Sequence, residues 1–316
     1  MTAREQGLVI RALGAAYDVQ GLDSVVRCVL RGRLRRQEDG LRRPVIGDRV
    51  EFERVSPREG AIVTILPRRT TLVRREPLDP SRAHVLAANI DQIVAVFAAA
   101  PEPDLFQIDR YLVVAEANHL PSILCLNKMD LVEHPRALQT RFAEYEALGY
   151  PVLYTSAWTG VGLEALREQL KGKITVFIGP SGAGKSSLLN ALQPELTLKV
   201  GSVNPRTGMG RHTTTASHLI PFDDGYLADM PGLRDVGVWG IPPEDLAACF
   251  PEMRPHLGDC EFSDCLHLQE PGCAIRRAVA TAKISQRRYE SYRRILIEQQ
   301  AAWGSIPEYG AHKRMG

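Results

Sequence analysis

No apolar run in this chain is long enough to cross a bilayer: the longest, Ile93 to Ala100, falls well short of the roughly 20 residues a spanning helix needs. A secretory leader is missing too, because Arg11 stands inside what would have to be the apolar part of MTAREQGLVIRALGAAYD. Six cysteines among 316 residues are too few for a disulfide scaffold, and three of them crowd between 260 and 273, which in a reducing compartment points to metal. Repeats of solenoid length are absent. These shortages predict a soluble cytoplasmic protein, and nothing in the sequence requires a dimer, so a monomer is expected. What is present is ordinary for a globular protein: 44% hydrophobic and 24% charged residues, in a chain long enough for two or three domains.

The net charge of +2 hides a division. Residues 1–76 carry 16 Lys+Arg against 10 Asp+Glu, residues 274–316 carry 9 against 3, and the stretch between carries 14 against 24. Both ends are basic and the middle is acidic, a distribution that would draw the ends toward a polyanion. Arg-rich faces that are merely solvated remain the alternative.

Residues 1–76 read as short strands, LVIRALGAAYDVQ, SVVRCVLRGRLRR, RVEFERV and GAIVTILP, punctuated by turn material and uninterrupted by an amphipathic helix. About five such strands predict a small β-barrel, most simply an oligonucleotide-binding (OB) fold. The proline-bearing stretch 67–88 reads as a linker, with 77–88 separating the barrel from the next domain. From residue 89 to 240, strand and helix patterns alternate, predicting a mostly parallel sheet with helices on both faces. ASHLIPF and YLADM, turned at Asp223-Asp224-Gly225, read as a hairpin near its end. Residues 241–316 lose the strand pattern and read as a helical domain around the cysteine cluster.

GPSGAGKS follows an apolar run and precedes SSLLNAL, so G-x-x-x-x-G-K-S sits between strand and helix, where a phosphate-binding loop belongs. The loop Gly179, Pro180, Ser181, Gly182, Ala183 and Gly184 would turn its backbone N–H groups, which all but Pro180 possess, toward phosphates, with Ser187 in the first turn of the helix. Lys185 would reach the β and γ phosphates, and Ser186 would bind Mg²⁺. NKMD ends another apolar run: Asp130 can accept two hydrogen bonds from guanine, Lys128 can lie along the base, and Asn127 can tie this loop to the phosphate loop. TSA at 155–157 ends a third strand, where Ser156 and the Ala157 N–H would meet the base. Three motifs at three strand ends predict one pocket, for GTP rather than ATP. In DMPG, Asp229 would hold Mg²⁺ through water and Gly232 would meet the γ phosphate. One of Thr213, Thr214 and Thr215, in the polar stretch 199–218, would complete the Mg²⁺ site, with Thr214 the expected ligand.

The base-reading motif precedes the phosphate loop, the reverse of the usual GTPase order. A circular permutation produces this order and is physically tolerable, since domain termini lie close together at the surface. DMPG then leads directly into the C-terminal segment, where C-x4-C-x-H-x5-C places Cys260, Cys265, His267 and Cys273 within fourteen residues. Three thiolates and an imidazole close a tetrahedron, which favours one structural zinc over a catalytic one; a metal-free cluster stays open. Beyond it, ISQRRYESYRRILIEQQ reads as a helix capped by Ser285. Tyr289, Tyr292, Ile295 and Leu296 take its core face, and Arg287, Arg288, Arg293 and Arg294 are available to phosphates.

A barrel, a permuted GTPase and this Cys/His knot, in that order, resemble the RsgA (YjeQ) family of ribosome-dependent GTPases over essentially the whole chain; GRHTTT, DMPGLRD, HLQEPGC and RYESYRRIL also look like its signatures. The resemblance implies a GTP hydrolase of the cytoplasm acting in late maturation of the 30S subunit and stimulated by it, with barrel and zinc domain on 16S rRNA. Many GTPases orient the attacking water with a Gln after D-x-x-G, where this chain has Leu233. The family is thought to use a mobile-loop histidine instead, and His212 stands in that place. The competing reading is an RNA-binding assembly factor whose nucleotide is only a conformational latch.

Overall fold

In a computed structural model the described residues are 4–32, 43–76, 79–194, 218–229 and 241–304. Strands β1 (Arg4–Leu13), β2 (Ala16–Gln20), β3 (Val25–Leu30), β4 (Arg49–Ser56) and β5 (Glu59–Ile65) close a barrel in the order β1-β2-β3-β5-β4. Only the β3–β5 pair of this barrel is parallel, and β1 closes the ring by pairing with both β2 and β4. Alternation drives it: Val26 and Cys28 of β3 point inward while Val25, Arg27 and Val29 face solvent. Val9, Tyr17, Val19, Val50, Phe52 and Ile62 fill the interior. This is the OB-type barrel that the strand pattern predicts.

The stretch expected as a linker is not one. β6 (Thr71–Glu76) and β7 (Asp79–Ala88) form an antiparallel hairpin, with Thr71 opposite Ala88 and Glu76 opposite Asp79. Leu72 and Ala87 are fully buried in the core of the next domain together with Ile46 of the barrel side. Asn89 fixes the junction by donating to the Gly47 carbonyl at 2.8 Å and accepting from the Arg69 N–H at 2.8 Å. Prolines and charge lend the stretch a linker composition, but burial of its apolar residues makes it a wedge between barrel and sheet.

The central sheet has the order β10-β9-β8-β11-β13-β12. β8 (Gln92–Ala98), β9 (Ser122–Asn127), β10 (Val152–Tyr154), β11 (Ile174–Ile178) and β13 (Gly225–Asp229) run parallel, and β12 (Leu219–Phe222) is antiparallel to β13. Helices α1 (Leu105–Ala117), α2 (Pro135–Ala147), α3 (Leu163–Leu170) and α4 (Lys185–Leu192) cover it. Ile93, Ala95, Phe97, Leu124 and Leu126 pack toward Tyr111, Phe142 and Tyr145, whereas Val94, Val96, Ile123 and Cys125 pack toward Leu166, Leu188 and Leu189. Burial on both faces explains why β8 and β9 read as continuous apolar runs.

Beyond Ile241 come 3₁₀ turns at Pro243–Cys249 and Arg254–His256, then α5 (Ala274–Ala280) and α6 (Gln286–Gly304). Their core is shared with the sheet domain: Val113 and Val114 of α1 pack with Leu246, Phe250, Met253, Tyr292, Ile295 and Leu296. Helix α6 begins after Ser285, whose hydroxyl accepts from the Arg288 N–H at 3.5 Å. Among the described residues, no helix is long and apolar enough to cross a membrane.

Candidate functional site: a phosphate loop, a base loop and a Cys/His knot

Because the sheet is parallel, the carboxyl ends of β8, β9, β10 and β11 share one rim. Between β11 and α4, Gly179 has φ 140° and Gly184 φ 92°. A Cβ at Gly179 would lie 2.0 Å from the Val96 carbonyl oxygen of β8, and one at Gly184 only 2.2 Å from Asn127 Nδ2. Only glycine fits at either place. The loop of Gly179, Pro180, Ser181, Gly182 and Ala183 is thereby pressed onto its neighbours. Lys185, 6% exposed, folds its ammonium back on the loop, donating to the carbonyls of Gly179 at 2.6 Å and Pro180 at 2.9 Å. Ser186 and Ser187 follow in the first turn of α4, at the positive end of the helix dipole.

Asn127, the last residue of β9, connects the three loops. Its amide nitrogen donates to the Ala183 carbonyl at 3.1 Å, and its amide oxygen accepts from the Ala157 N–H at 3.2 Å and the Thr155 hydroxyl at 3.4 Å. Thr155 also contacts the Cys125 thiol at 3.3 Å; burial pushes that thiol up to about 12, the Thr155 contact opposing. Nothing in the sequence announces this Cys125–Thr155 support, since both look like ordinary strand residues. Lys128 adopts the left-handed region (φ 67°, ψ 39°), which turns the chain at the end of β9. Asp130 is exposed and accepts from the Ser156 hydroxyl at 2.5 Å, fixing its carboxylate toward the loop that carries Ala157. The base loop, the TSA loop and the phosphate loop therefore touch one another, although in the chain they lie in an order opposite to the usual one.

Asp229 ends β13 beside Phe177 of β11, so its backbone stands on the same rim. Its side chain, and His212, Thr213, Thr214, Thr215, Gly232 and Leu233, lie outside the described residues.

The C-terminal knot brings its four predicted residues together. The ligand atoms of Cys260, Cys265, His267 and Cys273 all lie within 4.8 Å of one another. Sγ of Cys260 and of Cys273 each stand 3.5 Å from His267 Nδ1, and 4.0 Å from each other. A zinc tetrahedron with ordinary bond lengths has S–S edges of about 3.8 Å and S–N edges of about 3.6 Å, so the face of Cys260, His267 and Cys273 fits such an ion. Backbone N–H groups of Ala274 and Arg276 point at Cys260 Sγ and Cys273 Sγ at 3.3 and 3.5 Å, which favours thiolates. Burial lowers the His267 imidazole, keeping it neutral and able to ligate. Three partners of the ligand loop escaped the sequence reading. Glu270 accepts from the N–H groups of Leu266, Leu268 and Gln269 at 2.8, 2.8 and 2.9 Å; burial works against its ionised form, but these bonds outweigh it and leave the carboxyl below its ordinary value. Tyr289 and Tyr292 of α6 donate to the carbonyls of His267 at 2.6 Å and Leu266 at 2.8 Å.

Two of the four α6 arginines expected to be available to phosphates, Arg287 and Arg288, are turned inward instead, whereas Arg294 is exposed. Arg288, 1% exposed, donates to Asp109 of α1 at 2.6 Å and to Glu252 at 2.7 Å, and Arg287 donates to Asp109 at 2.8 Å and to Glu144 of α2 at 2.6 Å. Arg294 lies over the Phe106 ring at 3.5 Å, and Arg293 pairs with Glu290. A carboxylate at a fully buried position of α1, Asp109, had to have such a partner. The mid-helix Asp in QIDRYL, on the apolar stripe, was the one signal that could have announced it.

With this geometry in place, comparisons with known proteins agree. The family model described as RsgA GTPase matches residues 65–239, and that described as RsgA N-terminal domain matches residues 6–62. A small ribosomal subunit biogenesis GTPase RsgA from Gemmatimonas aurantiaca is 44% identical over 92% of this chain and 96% of its own length. One of the same name from Pseudomonas fluorescens Pf0-1 is 42% identical over 97% of this chain and 87% of its own. Among solved structures, YjeQ from Thermotoga maritima superposes with a TM-score of 0.75 at 36% identity, covering 94% of this chain and 98% of that one. YloQ, a circularly permuted GTPase, gives 0.74 at 31% identity, covering 95% and 96%.

Proposed function

The chain belongs to the RsgA family of GTPases, and from that premise we propose that it hydrolyses GTP in the service of small ribosomal subunit biogenesis, with turnover timing its release from the maturing 30S particle. Family membership implies a guanine nucleotide and Mg²⁺. The observation that carries the reading is the Asn127 amide, which bonds the phosphate loop through Ala183 and the TSA loop through Ala157, so that base and phosphates of one nucleotide can be held together.

In this reading Asp130 accepts the N1 and N2 protons of guanine, which adenine cannot offer, and is kept in place by Ser156. The Ala157 N–H meets O6, and Lys128 lies along the base. The amides of Gly179 to Gly184 surround the phosphates. Lys185 exchanges its two carbonyl bonds for phosphate oxygens, gaining a charge-assisted pair where charge develops in the transition state. Ser186, Thr214 and the Asp229 carboxylate hold Mg²⁺, which when bound neutralises developing charge on the phosphates. Gly232 senses the γ phosphate. Leu233 cannot orient water, so intrinsic hydrolysis is slow, and His212 takes that role once the subunit orders its loop. The Cys260, Cys265, His267 and Cys273 knot holds one structural zinc, supported by the fit of the Cys260, His267 and Cys273 edges to a tetrahedron. The protein acts as a cytoplasmic monomer with its basic barrel on 16S rRNA.

Phosphate release measured with and without purified 30S subunits tests this. Stimulation that disappears in Lys185→Ala is expected. Turnover at background in both conditions, with nucleotide still bound, would instead establish the latch reading, which the Leu233 position favours.

A further inference from the structure

Helix α6 touches the Cys/His knot and the sheet domain through one stripe of its surface. Arg288 and Tyr292 are one helical turn apart, so their side chains stand side by side. Arg288 reaches Asp109 and Glu252, and Tyr292 reaches the Leu266 carbonyl in the ligand loop. Between them sits Phe250, fully buried, its ring 4.8 Å below the Arg288 guanidinium and edge-on to Tyr292 at 5.5 Å. Tyr289 adds the bond to the carbonyl of His267, a ligand residue held at φ 60°, in the left-handed region. From metal loop to α1 the path is continuous packed matter with no exposed step.

We propose that α6 is a strut through which metal occupancy of the knot and docking of the C-terminal unit on α1 and α2 are coupled. Tyr289 and Tyr292 are positioning residues: they set the carbonyls of the ligand loop, and the ligand loop in turn sets the Tyr292 phenol against which Phe250, and through it Arg288, packs. Losing the metal frees that loop, loosens the phenols and slackens the Arg288 seat on Asp109. Coupling between two equilibria is reciprocal, so breaking the seat must weaken the metal by the same factor that removing the metal weakens the seat. The inference rests on the metal reading of the knot.

Zinc affinity of the full chain, measured by competition with a chromophoric chelator, tests it. Replacing both phenols, Tyr289→Phe with Tyr292→Phe, should weaken zinc about tenfold, the low end of what outer-shell partners contribute. Arg288→Met, far from any ligand atom, should weaken it about threefold or more. Arg287→Met, half-buried on the same seat, serves if Arg288→Met does not fold, and Arg27→Met in the barrel should leave zinc unchanged. Chelation of the wild type should also raise hydrogen exchange in α1 and α2. Tight zinc with equal affinity in every folded variant, and exchange in α1 and α2 indifferent to chelator, would overturn the coupling alone. A wild type that binds no zinc overturns the metal reading and the coupling with it.

Discussion

The two ends of the chain carry the same net charge, +6 each, yet Arg27 and Arg31 of one and Arg287 and Arg288 of the other are put to opposite uses. On the barrel, Arg27 pairs with Asp18 and Arg31 with Glu53, but these arginine side chains are 54% and 60% exposed. Solvent screens such pairs, so a phosphate can compete for the guanidinium at little cost. In the C-terminal unit Arg287 and Arg288 are drawn inward and hold Asp109, Glu144 and Glu252. Burial pulls the Arg288 guanidinium down, and Asp109 and Glu252 more than offset it, leaving it above its ordinary range. Segment charge therefore predicts affinity for a polyanion only where the charges remain in reach of solvent. The barrel qualifies, whereas the Arg287–Arg288 pair of α6 is structural.

The comparison can be broken in graded steps. Arg288→Met should be the costliest, leaving Glu252 buried without its cation and Asp109 with Arg287 alone, and lowering unfolding stability in urea by about 3–5 kcal/mol. Replacing Arg288 together with Asp109 and Glu252 by apolar residues should recover much of that loss, because the desolvation cost of the charges disappears with them. Tyr145→Phe removes the phenol bond to Asp109, 2.7 Å long, and should cost about 1–2 kcal/mol in the same measurement. Arg27→Ala and Arg31→Ala should cost only about 0–1 kcal/mol of stability. Each should nevertheless reduce the salt dependence of binding to 30S subunits by about one counterion, an effect Arg288→Met should not share beyond its loss of fold. Equal salt slopes for the barrel and α6 substitutions would erase the distinction.

How much could be read beforehand follows the reach of each interaction. Gly179 and Gly184 announce themselves because crowding by the Val96 backbone and the Asn127 side chain admits only glycine, and the motif is contiguous. The knot was legible for the same reason: all four ligand residues fall within fourteen positions, and spacing encodes their geometry. Strand patterns reveal the barrel and the two-faced sheet, since burial of Val26 and Cys28 alternates along β3 and that of Ile93 through Phe97 is one unbroken apolar run. The hairpin β6–β7 was misread because composition measures neither pairing nor the burial of Leu72 and Ala87. The inward turn of Arg287 and Arg288 is illegible because their partner Asp109 lies 178 and 179 positions away, a distance at which no local pattern carries information. Cys125 is silent in the sequence, and Thr155 stands in the TSA motif with no role of its own, yet together they support Asn127 from beneath the loops.

The central claim is that loops scrambled in the chain form one guanine-nucleotide site. Titration calorimetry of GDP and xanthosine diphosphate into the wild type and Asp130→Asn tests it most directly, because the amide reverses the donor pattern that Asp130 presents to the base. The account predicts that Asp130→Asn loses GDP by about 100-fold or more and gains the xanthine nucleotide. GDP affinity unchanged by the substitution would contradict it.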